Sequence, residues 1–213
     1  MDDTSADART VGDSPFGAVA TGDPRPPALL LAVLGVGGVA LLWPVLAPFP
    51  GAAGAYRSAG GWAQVVGGFA LAGAGIAVAV VVTRLTRIAQ SVAGGDYGAV
   101  ARAAATACAA LVGAAAAALA EPAVVHVLGG QPGADTILAP RLGFVLLTVP
   151  GMVAAALAVF GTAFAVWRAG RIPTPLAVLG FVASVALLAG ILVVPAVLLP
   201  GWLLAAAITI RRR

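Results

Sequence analysis

Long apolar runs that carry no charge follow one another from Ala28 to Ile210, with short charged segments between them. The first run, Ala28 to Ala47, is 20 residues long, about the length that an α-helix needs to cross a hydrocarbon core of roughly 30 Å. Inside a bilayer, only helices and closed barrels satisfy all backbone polar groups. The pattern therefore predicts an all-α protein, a polytopic transmembrane helix bundle.

The composition excludes several classes of protein. The 213 residues are 61% hydrophobic and 9% charged, whereas soluble domains run at roughly 45–50% apolar and about 25% charged. A soluble enzyme and a disordered chain are thus excluded. The net charge is +4, but most arginines stand singly between apolar runs rather than in the clusters that bind nucleic acid. We expect the lipid bilayer of the cell membrane as the partner, and no nucleic acid.

The apolar runs predict six spans. The last two divide a continuous apolar stretch of 36 residues, Pro175 to Ile210, because one helix of that length would measure about 54 Å. A tight turn is expected between Gly190 and Pro195. Pro150 and Pro200 lie within the fourth and sixth spans and predict kinks there. The predicted spans are residues 28–47, 63–82, 101–120, 142–166, 175–191 and 193–210.

The arginines predict the orientation, because cytoplasmic loops carry an excess of positive charge. With six spans and a cytoplasmic N-terminus, ten of the twelve arginines lie in cytoplasmic segments, and only Arg57 and Arg141 lie outside. With five spans the division is seven to five. We therefore expect both termini in the cytoplasm (N-in, C-in), with residues 211–213 forming a cytoplasmic arginine cap.

Residues 1–27 differ from the rest of the chain. They hold five of the eight acids and two arginines, a net charge of −3, and they cannot bury enough apolar surface to offset the entropy of ordering. We expect a disordered, acidic cytoplasmic tail. The small residues 53–55 resemble a signal-peptide cleavage site, but the length of the preceding run favours a retained span.

A basic stripe follows the second span. Arg84, Arg87 and Ser91 share one helical face, which predicts that the helix continues past the membrane and contacts anionic lipid or a partner there. The alternative is ordinary positive-inside anchoring, followed by a Gly94-Gly95 stop and a cap on the third span by Asp96.

The loop after the third span carries Glu121 and His126, with Asp135 further on. These side chains are of the types that serve as acid and base or as metal ligands. A catalytic zinc site commonly uses two or three histidines, however, and this chain has one. The alternative is a solvated or capping glutamate and an interfacial histidine. We assign no catalytic, metal or cofactor-binding residue and expect no cofactor.

Small residues recur in the second span at Gly68, Ala72, Gly75 and Ala79, and the third span is almost entirely alanine. Such faces let helices approach closely. They pack either within the bundle or against a membrane-protein partner or a second copy of the chain. The lack of bulky side chains for the lipid predicts that the third span is central.

No ionisable residue lies near the middle of any predicted span, where such residues commonly mark ion paths or coupling sites. The polar groups there are hydroxyls such as Thr106, Thr148, Thr162 and Ser184. The leading hypothesis is thus a non-enzymatic scaffold, accessory subunit or regulator of a membrane complex. The kinked, glycine-rich spans leave a passive channel or a small-solute or lipid permease as the alternative. An intramembrane enzyme that uses Glu121 and His126 is the third.

Two C-terminal segments carry a family resemblance. The segments from Ala165 to Gly190 and from Pro195 to Arg213 resemble the C-terminal half of uncharacterised six-helix integral membrane proteins common in actinobacteria. In those proteins a WRxGxxPxxLAxLG loop joins spans four and five, and the resemblance implies a bacterial six-helix protein but no activity. The matching residues are Trp167, Arg168, Gly170, Pro173, Leu176, Ala177, Leu179 and Gly180.

Overall fold

A computed structural model describes residues 23–46, 61–93, 98–130, 138–189 and 193–210, and every element within these ranges is helical. The all-α fold class is therefore confirmed. A π-helical turn, Leu147–Gly151, joins the fourth helix to the fifth. The helices are α1 (Arg25–Leu46), α2 (Gly61–Ala93), α3 (Ala99–Val127), α4 (Leu138–Leu146), α5 (Met152–Arg168), α6 (Thr174–Leu188) and α7 (Val193–Thr209).

Four helical segments in the described part of the chain are long and apolar enough to cross a membrane. They are Arg25–Leu42, α2, α3 and the continuous segment Leu138–Arg168, with 18, 33, 29 and 31 residues. This finding indicates a membrane protein. Helices α6 and α7 are apolar but shorter, with 15 and 17 residues, so the predicted 36-residue apolar stretch is divided between two short helices.

Helix α1 includes the last three residues of the predicted tail, residues 25–27. Pro26 and Pro27 lie in its first turn, where proline is tolerated because the first helical N–H groups have no intrahelical partner. The N–H of Ala28 donates to the Pro24 carbonyl at 3.1 Å and closes this turn. The rest of the predicted tail, residues 1–22, and the arginine cap, residues 211–213, lie outside the described residues.

Helix α3 passes through the position where we expected it to end. Pro122 lies inside the helix, which continues to Val127, although a proline there removes the hydrogen bond to the carbonyl of Ala118. The extra turns pack against the start of α2: a Cβ at Gly61 would lie 3.1 Å from Val127 and 3.2 Å from the Ala123 carbonyl oxygen. Tertiary contact thus extends the helix beyond the proline.

Helices α3 and α5 end in the same way. Each is followed by a glycine in the left-handed region, Gly129 with φ 81° and Gly170 with φ 65°. At the end of α5, the Gly170 N–H donates to the Trp167 carbonyl at 2.8 Å, and the Arg171 N–H donates to the Val166 carbonyl at 3.1 Å. These paired bonds are the Schellman arrangement, which satisfies the last carbonyls of a helix.

The proline in the predicted fourth span coincides with the π-helical turn. Pro150 has no N–H to donate. Over Leu147–Gly151 the helix widens from the α-helical to the π-helical form, in which hydrogen bonds join residues five apart. A Cβ at Gly151 would lie 2.9 Å from the Leu146 carbonyl oxygen, so this turn needs a residue without a side chain. In contrast, α7 continues through Pro200 as a single helix.

Among the helices whose residues are all described, α5 has the largest buried fraction, and α3, which we expected to be central, is packed on one side and exposed on the other. Helix α5 buries 10 of its 17 residues and contacts α2, α3, α6 and α7. Helix α3 contacts α2, α4 and α5 but buries only 10 of its 29 residues. Its exposed face consists mainly of small residues, including Ala103, Thr106, Ala107, Ala110, Ala114 and Ala117. Alanine therefore serves close packing on one side of α3 and faces outward on the other.

Candidate functional sites

The described arginines gather at one end of the bundle, which we call the arginine end. There the Arg25 Nη2 at the start of α1 donates to the Ile208 carbonyl near the end of α7 at 3.4 Å. Val92 of α2, Gly170 after α5 and Thr209 of α7 line one cavity at this end. Six of the seven described arginines belong to these helix ends or to the start of α3, namely Arg25, Arg84, Arg87, Arg102, Arg168 and Arg171. The seventh, Arg141, lies near the start of α4.

The basic stripe after the second span is helical, since α2 continues to Ala93. Arg84 is half-buried, and its Nη1 donates to the Asp23 carbonyl, which ties α2 to the segment before α1. Arg87 and Ser91 are exposed, and the Ser91 hydroxyl donates to the Ile88 carbonyl at 2.8 Å. The two arginines thus differ: Arg84 makes a contact within the chain, and Arg87 faces outward. Their contact with lipid or a partner stays a prediction.

The cap that we expected Asp96 to form at the start of the third span stays a prediction. The residue at the N-cap position of α3 is Gly98, which makes no side-chain cap hydrogen bond. A Cβ at Gly98 would lie 2.6 Å from the Thr86 Cβ, so α2 and α3 approach each other closely here. Asp96 itself lies outside the described residues.

A cavity of about 490 Å³ opens at the arginine end between α2, the α5–α6 connection and α7. Seven residues line it: Val92, Ala169, Gly170, Arg171, Ile172, Pro173 and Thr209. The lining combines one guanidinium and one hydroxyl with apolar surface. Sequence reasoning did not identify this cavity, because its lining comes from three distant parts of the chain.

The residues of the WRxGxxPxxLAxLG pattern have structural roles around this connection. Gly170 ends α5, Pro173 is the N-cap residue of α6, and Ala177 is 1% exposed in the core. The Trp167 Nε1 donates to the Thr174 hydroxyl at 3.5 Å. The pattern therefore describes how two helices join, and no catalytic role follows from it.

Trp202 closes the contact between α6 and α7. It is 3% exposed, and its Nε1 donates to the Leu176 carbonyl at 2.9 Å. A Cβ at Gly180 would lie 2.7 Å from the indole ring and 2.8 Å from the Ala163 Cβ. Gly180 thus makes room for the indole ring. The Leu176 carbonyl gives the indole N–H the partner that a buried tryptophan needs.

Glu121 and His126 both lie on α3 rather than in a loop. Five residues of helix separate them by about 140° around the axis. His126 is exposed, beside Gly61 of α2, and the buried Glu121 Oε2 has no hydrogen-bond partner. Asp135 lies outside the described residues. The helix thus does not bring Glu121 and His126 together as a hydrogen-bonded pair.

Within the described ranges, no group of three His, Cys, Asp or Glu side chains could hold a metal ion. The one cysteine, Cys108, is buried in the main core.

The mid-span hydroxyls all bond to their own helix. The acceptor is the carbonyl four residues earlier in each case, at 3.0 Å for Thr106, 2.8 Å for Thr148, 2.6 Å for Thr162 and 2.7 Å for Ser184. Serine and threonine commonly satisfy themselves in this way within helices.

Gln64 is a buried polar residue that the sequence reasoning missed. It is 1% exposed, and neither its amide nitrogen nor its amide oxygen has a hydrogen-bond partner. It stands three residues after Gly61 and four before Gly68, both of which contact α3, so it lies on the same side of α2. The available signal was its position as the only amide in the second apolar run.

The small-residue face of α2 packs within the chain. A Cβ at Gly68 would lie 2.8 Å from the Ala120 Cβ, and one at Gly75 would lie 3.2 Å from the Ala109 carbonyl oxygen, both on α3. Around the helix from this face, a Cβ at Gly67 would lie 2.8 Å from Leu41 of α1. The glycines of α2 therefore serve the α1–α2 and α2–α3 contacts.

No protein-family model matches the chain, and no curated protein or solved structure was found to match it. The resemblance to the actinobacterial six-helix family stays a prediction.

Proposed function

We propose that this chain is a multi-pass protein of the cell membrane with six spans and both termini in the cytoplasm. In this proposal it acts without catalysis as a scaffold, accessory subunit or regulator of a membrane complex. The observation that carries the functional part is the hydrogen bonding of the interior hydroxyl groups. The polar groups that would line a path for solutes bond instead to carbonyls of their own helices.

The path of α6 and α7 supports the six-span count. Pro173, before α6, lines the cavity at the arginine end, and the Ile208 carbonyl near the end of α7 accepts from Arg25 at the same end. The hairpin therefore leaves this end and returns to it. Fifteen residues rise about 22 Å, less than a typical core of about 30 Å, but short spans are accommodated by thinning of the bilayer.

The arginine end supports the orientation, since the positive-inside rule assigns the more basic side to the cytoplasm. Single cysteines test this directly in a Cys108→Ala background. Ser91→Cys lies at the arginine end, and Leu128→Cys, at a position 80% exposed, lies at the end of α3 away from it. We expect an impermeant maleimide applied to intact cells to label Leu128→Cys only, and Ser91→Cys to react after lysis. The reverse pattern would overturn the orientation.

The outward face of α3 supports a role in assembly. It presents small side chains that no other helix of the described chain covers, and such faces allow close helix packing in lipid. We expect the protein purified in mild detergent to migrate as a defined assembly larger than a monomer. Ala110→Phe should reduce that assembly, whereas Ala40→Phe, at an exposed alanine on α1, should not. A solitary monomer with no co-purifying subunit would contradict the proposal.

Reconstitution tests the alternative of a passive channel or permease. Vesicles containing the purified protein should release glycerol, potassium ions and a fluorescent lipid no faster than empty vesicles. Flux that depends on the amount of protein, and that Thr162→Val or Ser184→Ala alters, would replace the proposed function by transport.

A further inference from the structure

We propose that the cavity at the arginine end binds the headgroup of an anionic phospholipid. The first argument is its composition. Arg171 lines the cavity together with apolar surface from Val92, Ile172 and Pro173. A phosphate needs a cation, and the glycerol and upper acyl carbons of a lipid need apolar surface. Basic pockets between transmembrane helices at the cytoplasmic side are a recognised form of anionic-lipid site.

The second argument is the charge around the cavity. Arg25 reaches the carbonyl of Ile208, the residue next to the cavity-lining Thr209, and Arg168 stands three residues before Arg171. Of the two acids in the described part of the chain, only Asp23 lies at this end. The described arginines therefore give this end a positive field that attracts an anion.

The third argument concerns the helix ends that surround the cavity. The C-termini of helices carry partial negative charge and would favour a cation, but several of their carbonyls are occupied. Arg171 and Gly170 N–H groups bond to the last carbonyls of α5, and Arg25 bonds to Ile208 of α7. Helix α6, in contrast, begins directly after Pro173, so its positive end adds to the arginines.

The fourth argument is that the connection has a defined geometry before any ligand binds. The left-handed Gly170 and the extended N-cap Pro173, with φ −69° and ψ 149°, set the path of the loop. Trp167 contacts Phe181 edge-on, with ring centroids 6.5 Å apart, and bonds to Thr174. A preorganised site loses less entropy on binding. The following exposed apolar residues of α6, Val178, Leu179 and Val182, offer a surface for acyl chains.

The test uses the full-length protein in nanodiscs of phosphatidylcholine with and without phosphatidylglycerol. We expect phosphatidylglycerol to raise the thermal midpoint and to remain bound in native mass spectra. Arg171→Gln should weaken apparent affinity about fivefold, as expected for one basic residue at an anionic surface. Arg141→Gln is the matched control, because it removes the same charge from an exposed position near the start of α4, outside the cavity lining. An equal loss in both variants would overturn the site in favour of a diffuse surface attraction.

A second variant separates binding from folding. Val92 is 49% exposed and lines the cavity, so Val92→Phe should narrow the cavity and weaken retention of phosphatidylglycerol while the fold and all charges remain. Glycerol 3-phosphate added in phosphatidylcholine discs distinguishes the two sources of the phosphate. Stabilisation by this soluble compound equal to that by the lipid would overturn the assignment to a lipid. Unchanged retention in Val92→Phe would overturn the location of the site.

Discussion

At the scale of single residues, the structure is defined by positions where a side chain would not fit or would lack a partner. Gly180 and Trp202 form one such pair, because the indole occupies the space that a Cβ would need. Gln64 is the opposite case, a side chain that fits but whose amide has no partner. Both kinds of position make predictions that can be measured.

Gly180→Ala should destabilise the protein by about 1–3 kcal/mol, the cost of overpacking a tight contact. The new methyl group would lie 2.7 Å from the Trp202 ring and 2.8 Å from the Ala163 Cβ, and both residues are buried. The measurement is the midpoint of thermal unfolding in detergent, monitored by circular dichroism. Gly201→Ala is the control, since no atom lies within 4 Å of its Cβ position, and we expect no loss there. Equal effects of the two changes would contradict this packing.

Gln64→Leu should leave the protein as stable as before or stabilise it by about 1–3 kcal/mol, the usual penalty for a buried polar group without a partner. Leucine has a similar length and removes the two unpaired amide atoms. Gln64→Glu is the contrasting change, because it buries a carboxyl group at the same place and should destabilise. Chemical denaturation in mixed micelles compares the three proteins. A large loss in Gln64→Leu would show that the amide has a partner.

At the scale of helices, much was predictable from local pattern. The apolar runs predicted helices at six places, and the described helices overlap all six. The end of α3 was wrong, because a proline and a glutamate suggest a terminus, whereas packing of Ala123 and Val127 against Gly61 extends the helix. Helix α3, which we expected to be central, is packed on one side and exposed on the other. Alanine content predicts close packing but not how many neighbours a helix has.

Three glycines of α2 that are spaced seven residues apart, Gly61, Gly68 and Gly75, should control the α2–α3 contact. Gly68→Val should lower stability by about 1–3 kcal/mol, because even its Cβ would lie 2.8 Å from that of Ala120. Gly113→Ala, in a helical position with no atom within 4 Å of its Cβ position, should be neutral or stabilise by up to about 1 kcal/mol. The variants are ranked by the fraction of each protein that remains soluble in detergent after heating. Tolerance of valine at Gly68 would show that α2 and α3 are not in this register.

At the scale of the whole molecule, the buried residues form one large cluster and one small one. The large cluster joins residues from α1, α2, α3, α5, α6 and α7, and the small one centres on Leu42, Leu71, Ala116 and Leu119. Cys108 of α3 belongs to the large cluster and is 1% exposed. Its thiol therefore reports on opening of the bundle as a whole.

We expect the native thiol of Cys108 to resist a membrane-permeant maleimide at 25 °C and to react as the protein unfolds on heating. A buried group in the main core exchanges only through large openings. The matched protein is Ser91→Cys in the Cys108→Ala background, whose exposed thiol should react at once. Gly68→Val should speed the labelling of Cys108, because it loosens α2–α3 packing. Rapid labelling of the native wild-type protein would show that α3 is not buried as described.

The order of the residues was sufficient to predict a helical membrane protein, the positions of its helices along the chain and the grouping of most arginines on one side. These properties depend on the length of the apolar runs and on the positions of charged residues along the chain, which are local features of the sequence. Which helix faces meet became clear only from the packing: Gly68 lies against α3, Gly180 lies against Trp202, and Glu121 lies apart from His126. The packing also decided that a cavity with Arg171 opens beside α2 and α7. The physical reason is that these contacts depend on the rotation and register of helices distant in sequence, which no local pattern specifies.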